Sequence, residues 1–422
     1  MIFLYNLILI VLYPFFLIST LFNKKLKEFY LTRKEGKKRI QEFIQNHKNQ
    51  KAIWLHASSV GELDQALAIF RILKSKHPNL PILMTVFSLS VKNLDKIPSE
   101  GKAYLPIDFF WQWQFIQDNF VLFITFTWDV YPNLLRILKK KNCHNFLCST
   151  AIEEDSYRVK WSFLFRSFYK NFDGIGVVDE YNYNNFIKLF NKNLKITGDS
   201  RYDSIVYKLE NQKISEEDKK KLECAKDIII LASTYKECDK QLYPYLENLI
   251  VEFPKRKIWI FPHHINEERL KETTEYLKRY NIKNVLFFSD KEFINKYNQY
   301  NIIIVDKLGI LAYAYRFSKI CYVGGAFHHR VHNTGEPAAC GSIPFTGPNI
   351  FSSPVAILLW KKQLLFRFAN GKDLIQNMTS LLKNQEQLNF KSERIKELLW
   401  NQTGSSKKFY EEFLENLLKN YR

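Results

Sequence analysis

The sequence predicts an α/β protein with two successive parallel sheets, each covered by helices, and an apolar helix ahead of them. Three observations predict it: an uncharged apolar run at the start, a long alternation of β-branched and aromatic runs with helical patterns, and one polar stretch that divides that alternation in two. The 422 residues allow two domains of about 200 residues each, and 46% hydrophobic with 16% aromatic residues excludes general disorder. Lys plus Arg number 62 against 43 Asp plus Glu, a net charge of +19 that calls for an anionic partner: nucleic acid, an anionic membrane or a phosphorylated substrate. The six cysteines form no C-x-x-C pair, which argues against a zinc ribbon, a thioredoxin-type site or a disulfide framework and makes a reducing compartment the default.

The first element is Ile2 to Phe22, 21 residues without a charge. That length spans a hydrocarbon core of about 30 Å as a helix, so residues 1–22 read as a membrane anchor. A cleavable signal would place its basic residues before the apolar run, whereas here ten Lys or Arg against three Glu follow it, between Asn23 and Lys51. By the positive-inside rule the rest of the chain is expected on the cytoplasmic side. Pro14 leaves room for a helix lying in one leaflet instead of crossing.

The first strand series is Ile53–Ala57, Ile82–Phe87, Ala103–Leu105, Leu122–Phe126, Asn145–Cys148, Gly174–Val178 and Leu194–Ile196. The second is Ile228–Ala232, Ile258–Phe261, Val285–Phe288, Ile302–Val305, Ile320–Val323 and Ile343–Phe345. The expected division is an amino-terminal domain over 23–205, a charged linker and helix over 206–226, and a carboxy-terminal domain with terminal helices over 227–422. Two Rossmann-like domains of this kind are expected to face a central cleft at the carboxyl ends of their strands, where polar motifs converge.

The motifs lie at strand ends. In WLHASSVGE, Trp54 to Glu62, a serine can cap the following helix and Glu62 can face the cleft, although a Glu in a first helical turn is favoured by the helix dipole with no function at all. Thr127 to Asn133 carries Asp129, and GDSRYD carries Arg201 near the end of the first domain. In the second domain Ser233 and Thr234, then Pro262, His263 and His264, follow two strands, and each could be an ordinary turn. GGAFHHRVHNTGEPAACG begins with Gly324 and Gly325, whose bare backbone could meet a phosphate at a helix start near Asn333, with Glu336 one turn in. Metal binding by His328, His329 and His332 is the rival reading, weakened by the lack of a carboxylate or Cys partner set.

Taken in order, these segments resemble the Kdo transferases, enzymes that move 3-deoxy-D-manno-octulosonic acid (Kdo) from CMP-Kdo to the lipid A precursor. The resemblance runs through the anchor with its basic flank, A-S-x-V-G-E at Ala57–Glu62, P-N-L at Pro132–Leu134, G-D-x-R-x-D at Gly198–Asp203, S-T at Ser233, P-x-H at Pro262–His264 and G-G...H-N-x-x-E-P-A-A at Gly324–Ala339. It implies a GT-B arrangement, inversion at the sugar, and neither metal nor cofactor. It also implies Glu62 as general base, with Asp129 and Arg201 standing where the family has a Glu and a Lys that stabilise the transition state. CMP and its phosphate would be held by Ser233, Thr234, Pro262, His263, His264, Leu308, Gly309, Ile310, Gly325, His332, Asn333 and Glu336. The chain departs from the family at Thr127 (usually Glu), His263 (commonly Arg), Leu308-Gly309-Ile310 (usually Met-Gly-Glu) and Arg330-Val331 (usually Gly-Gly). The implied partners are CMP-Kdo, a lipid A precursor and the anionic surface of the inner membrane. Another nucleotide-sugar glycosyltransferase with a membrane acceptor, and a non-catalytic membrane-tethered nucleotide-binding protein, are the alternatives. No nucleic-acid module is recognisable, so nucleic acid is not an expected partner.

Overall fold

The computed structural model describes residues 1–421 and separates into two compact units: Met1–Ser204 together with the chain from Gln402 onward, and Ile205–Asn401. The first unit holds a seven-stranded sheet, in chain order β1 (Ala52–Ala57), β2 (Ile82–Val86), β3 (Gly101–Tyr104), β4 (Phe120–Phe126), β5 (His144–Thr150), β6 (Gly174–Val177) and β7 (Leu194–Ile196). Its spatial order is β3-β2-β1-β4-β5-β6-β7, parallel throughout. β1, β2 and β4 are buried along their whole length, as strands covered on both faces must be. The direction of winding reverses between β1 and β4, and the crevice outside the carboxyl ends at such a point is where open α/β sheets bind ligands.

The second unit repeats the plan with β8 (Ile229–Thr234), β9 (Ile258–Pro262), β10 (Val285–Phe287), β11 (Ile302–Ile304), β12 (Ile320–Val323), β13 (Ile343–Thr346) and β14 (Phe366–Arg367), ordered β10-β11-β9-β8-β12-β13-β14. Here the reversal lies between β8 and β12. The fold class is therefore the one the sequence predicts, and all thirteen expected strands form within a residue or two of their expected bounds. β14 was not expected: two residues are too short to show a period.

The expected domain division needs two corrections. Residues 206–226 are not a linker outside both domains, because the helices Arg201–Glu210 and Glu216–Glu223 lie there and the second unit begins at Ile205. Of the terminal helices, Gly371–Lys383 and Gln385–Trp400 stay with the second unit, but the chain from Gln402 onward does not. Phe409, Tyr410, Phe413, Leu414 and Leu418 join the apolar core under β1, β2 and β4 in the first. Gly174 and Gly176 make room for them: a Cβ would lie 2.6 Å from Phe413 at one and 2.9 Å from Phe409 at the other. Asp203 then ties the entry of this segment, accepting from the N–H groups of Gly404 and Ser406 at 2.5 and 2.6 Å.

The apolar run forms helix α1 (Ile2–Phe22), with no residue buried and Phe3, Leu21 and Phe22 about four-fifths exposed. It is long and apolar enough to cross a membrane. One side is tied to the first unit: Tyr5 donates to Asp108 at 3.1 Å, Asn6 and Asn133 exchange hydrogen bonds at 2.7 and 3.3 Å, and the Tyr13 ring meets Phe109 edge-on at 4.7 Å. The basic stretch forms α2 (Lys24–Asn46), whose Ile40, Phe43 and Ile44 enter the core while its lysines stay outside.

Candidate active site

At the carboxyl rim of the first sheet, β1 leads into Ser58 and Ser59 and then α3 (Val60–Lys76). Ser59-Val60-Gly61-Glu62 is a capping box: the Ser59 hydroxyl accepts from the Glu62 N–H at 3.5 Å, and the Glu62 carboxylate is held in return by the Ser59 hydroxyl and the N–H groups of Ser58 and Ser59. The bland role weighed for Glu62 is thus realised. Burial nevertheless outweighs these bonds and the neighbouring Arg201, so the carboxyl is pushed above its ordinary range.

Next to β1 in the sheet, β4 leads into Thr127 and Asp129. Asp129 accepts from the Ser58 N–H at 3.2 Å, and burial followed by the charge of Glu62 pushes it up to about 7. Two carboxyl groups this close in a desolvated crevice resist ionising together. Arg201, at the start of its helix, is paired with Asp199 at 3.3 Å and holds Glu62 down. The structure therefore assembles Glu62, Asp129 and Arg201, the three residues expected to carry chemistry.

It also adds residues that sequence reasoning missed. Gln65, one turn beyond Glu62 on α3, donates to Asp199 at 2.8 Å and accepts from Thr127 at 2.9 Å, which binds the three segments together. Its i+3 spacing from Glu62 was the available signal. Under Asp129 lies His56, fully buried, with Nε2 at 2.9 Å from the Tyr131 hydroxyl, which is 2.8 Å from the Ser58 hydroxyl. Burial and Arg33 hold this imidazole neutral, down to about 3. Thr127 has φ +57°, a left-handed conformation that is strained for a β-branched residue.

The second rim has a different chemistry. The sheet order places β9 and β12 on either side of β8, and the residues after these three strands form a stack of rings. Tyr235, after β8, stacks on His263 at 4.6 Å, and His263 stacks on His332 at 4.5 Å. The Tyr235 hydroxyl is 2.9 Å from His332 Nε2, and His264 and His328 meet the Tyr235 ring at 5.9 and 4.5 Å. Burial and the other histidines lower His263, and the same causes with Arg330 lower His332 to about 4. Among the described residues no group of three or more His, Cys, Asp or Glu is placed to hold a metal ion.

The remaining expected residues divide. Gly324 and Gly325 are required by packing: a Cβ would fall 2.1 Å from the Ser233 carbonyl at the first and 2.3 Å from the Arg330 carbonyl at the second, where φ is +95°. Ser233 is itself left-handed, at φ +51°. Thr234 and Pro262 are buried partners across β8 and β9, so they shape the rim from beneath. Asn333 accepts from the N–H groups of Gly335 and Glu336 at 2.8 and 3.3 Å and donates to Glu336 at 2.9 Å. The helix it serves, Gly335–Ala339, starts two residues later than expected. Leu308, Gly309 and Ile310 follow β11, two strands away from β8; Leu308 is exposed, Gly309 has φ +86°, and Ile310 is buried.

The comparisons with known proteins agree with this geometry. Residues 34–204 match the family model described as 3-deoxy-D-manno-octulosonic-acid transferase (kdotransferase). A 3-deoxy-D-manno-octulosonic acid transferase of Rickettsia felis is 25% identical over 87% of this chain and 79% of its own length. Among solved structures, UDP-GlcNAc 2-epimerase from Neisseria meningitidis superposes with a TM-score of 0.61 at 13% identity, over 87% of this chain and 100% of that one. MurG from Acinetobacter baumannii gives 0.54 at 11% identity, over 86% and 99%. The two structures bear on the fold alone, that of the GT-B class, while the family model and the relative bear on descent: residues 34–204 carry the kdotransferase domain, and the chain is similar to a Kdo transferase over most of its length.

Proposed function

We propose that the protein transfers Kdo from CMP-Kdo to a lipid A precursor of the lipid IVA type, with inversion, and that Glu62 is the general base. One observation carries this reading: Glu62, Asp129 and Arg201, from three distant segments, meet at the switch point of the first sheet, with the Glu62 carboxyl raised toward neutrality. A sugar hydroxyl is a poor nucleophile until a positioned base takes its proton, and a base works best when its pKa approaches the working pH. Glu62 takes that proton as the donor's anomeric bond breaks. The oxocarbenium-like carbon is favoured by the adjoining carboxyl of Asp129, and Arg201 offsets negative charge on the reacting groups. The second rim, with His263, His332, Asn333 and Glu336, holds CMP.

Glu62→Gln tests this directly, because glutamine also serves at the third position of a capping box and the fold should survive. CMP binding is expected to persist while transfer falls at least ~100-fold. Near-normal turnover would remove Glu62 from the chemistry.

The proposed location is the inner membrane with both units on the cytoplasmic side, supported by α1 and the basic α2 beside it. Deleting residues 1–22 should leave transfer to detergent-dispersed acceptor and move the protein from the membrane pellet to the supernatant. Complete sedimentation of the shortened chain would assign the attachment to another surface.

A further inference from the structure

Five of the chain's nine histidines, His263, His264, His328, His329 and His332, lie in the loops after β9 and β12, and four of them contact the Tyr235 ring. An imidazole buried among other imidazoles is neutral for two reasons: it is desolvated, and a second positive charge nearby is unfavourable. A dianion entering the cluster reverses both, since it supplies the opposite charge and favours the imidazolium. The groups that face the cluster oppose this little. The loop after β8 brings Tyr235, Lys236, Glu237 and the buried thiol of Cys238; Lys236 is paired with Glu272, and Glu237 lies 3.9 Å from His328 and acts on Tyr235 as well. The loop after β9 adds His264, and the loop after β12 adds His328, His329 and Arg330. The cluster thus has one permanent cation of its own, Arg330, one carboxylate, and two stacked rings, His263 and His332, whose surroundings favour the neutral form.

We propose that this ring stack is a proton-coupled anion site: the phosphoryl group of the nucleotide donor binds together with a proton taken from solvent by His263 or His332, which Tyr235 holds in register. The inference rests on the reading of the second unit as the nucleotide-binding one. It adds that recognition of the phosphate by imidazole makes donor affinity depend on pH, where a permanent guanidinium would not.

The experiment is calorimetric titration of the full chain in detergent with CMP between pH 7 and 8.5, where the phosphate, with its second pKa near 6, remains essentially a dianion. The titration is repeated in buffers of different ionisation enthalpy to count protons. Uptake of up to one proton per CMP is expected, with affinity about tenfold weaker at pH 8.5 than at pH 7. His263→Arg should bind CMP at pH 8.5 at least as tightly as the wild type does at pH 7, with the proton uptake reduced and the pH dependence flattened. Tight binding by the wild type without proton uptake or pH dependence would overturn the proton coupling alone. Absence of CMP binding at every pH would overturn the nucleotide assignment and the coupling with it. The proton count is made on the unaltered protein, so a misfolded variant would not leave the question open.

Discussion

The two rims are built on the same plan and hold opposite chemistries. Each sheet reverses its winding beside a central strand, β1 in one unit and β8 in the other; Ser58 follows β1 and Ser233-Thr234 close β8, with left-handed backbone at Thr127 in the first rim and Ser233 in the second. The first rim gathers carboxyl groups with two arginines, Arg201 acting on Glu62 and Arg158, which donates to the Trp128 carbonyl, acting on Asp129; the second gathers imidazoles with Arg330. The difference shows that the fold supplies only a position: a crevice where side chains from adjoining strands are desolvated together. What is desolvated decides the chemistry, since burial raises acids and lowers bases alike, favouring the uncharged form of each.

The strongest challenge to this contrast is Arg201→Ala, which removes the cation that holds Glu62 down and leaves Arg158 beside Asp129. Turnover should fall about 100-fold with CMP affinity little changed, and the acidic limb of the rate profile should move to higher pH because Glu62 loses the cation that holds it down. Weakened CMP binding with an unchanged rate would transfer Arg201 to the donor's side.

A smaller effect sharpens the same point. Asp129 stands at about 7 when folded, against an ordinary 3.9 when unfolded. Between those values the folded state keeps a proton that the unfolded state releases, so this group's contribution to stability is greatest below about pH 4 and is lost as the pH climbs through 7. Asp129→Asn, which cannot titrate, should melt roughly 3 °C or more above the wild type at pH 8, with the gap closing at acid pH. Equal melting curves at all pH values would mean that Asp129 is not desolvated.

Strands were legible because buried parallel strands announce themselves as short apolar runs, while Glu62, Asp129 and Arg201 were singled out by the motifs around them and given their expected roles by the family resemblance. Gln65 and His56 were harder to see. Their partners are Asp199 with Thr127 in one case and Tyr131 in the other, and those pairings exist only once β1 and β4 are neighbours. The ring stack was hidden for the same reason. His263 and His332 stand far apart in the chain, and only the order β9-β8-β12 brings them to either side of Tyr235. The terminal helix was assigned to the nearer unit because an amphipathic pattern shows that a face is buried but not against what.

That terminal helix has a consequence for synthesis. The first unit is missing part of its core until Phe409, Phe413 and Leu418 arrive, some two hundred residues after β7. Throughout translation of the second unit, the sheet carrying Glu62 therefore waits with Gly174 and Gly176 uncovered, while α1 is already free to seek a membrane. With α1 as the proposed anchor, attachment to the membrane precedes completion of the half that carries Glu62, and a chain cut short before residue 405 should remain bound there with that half unfinished.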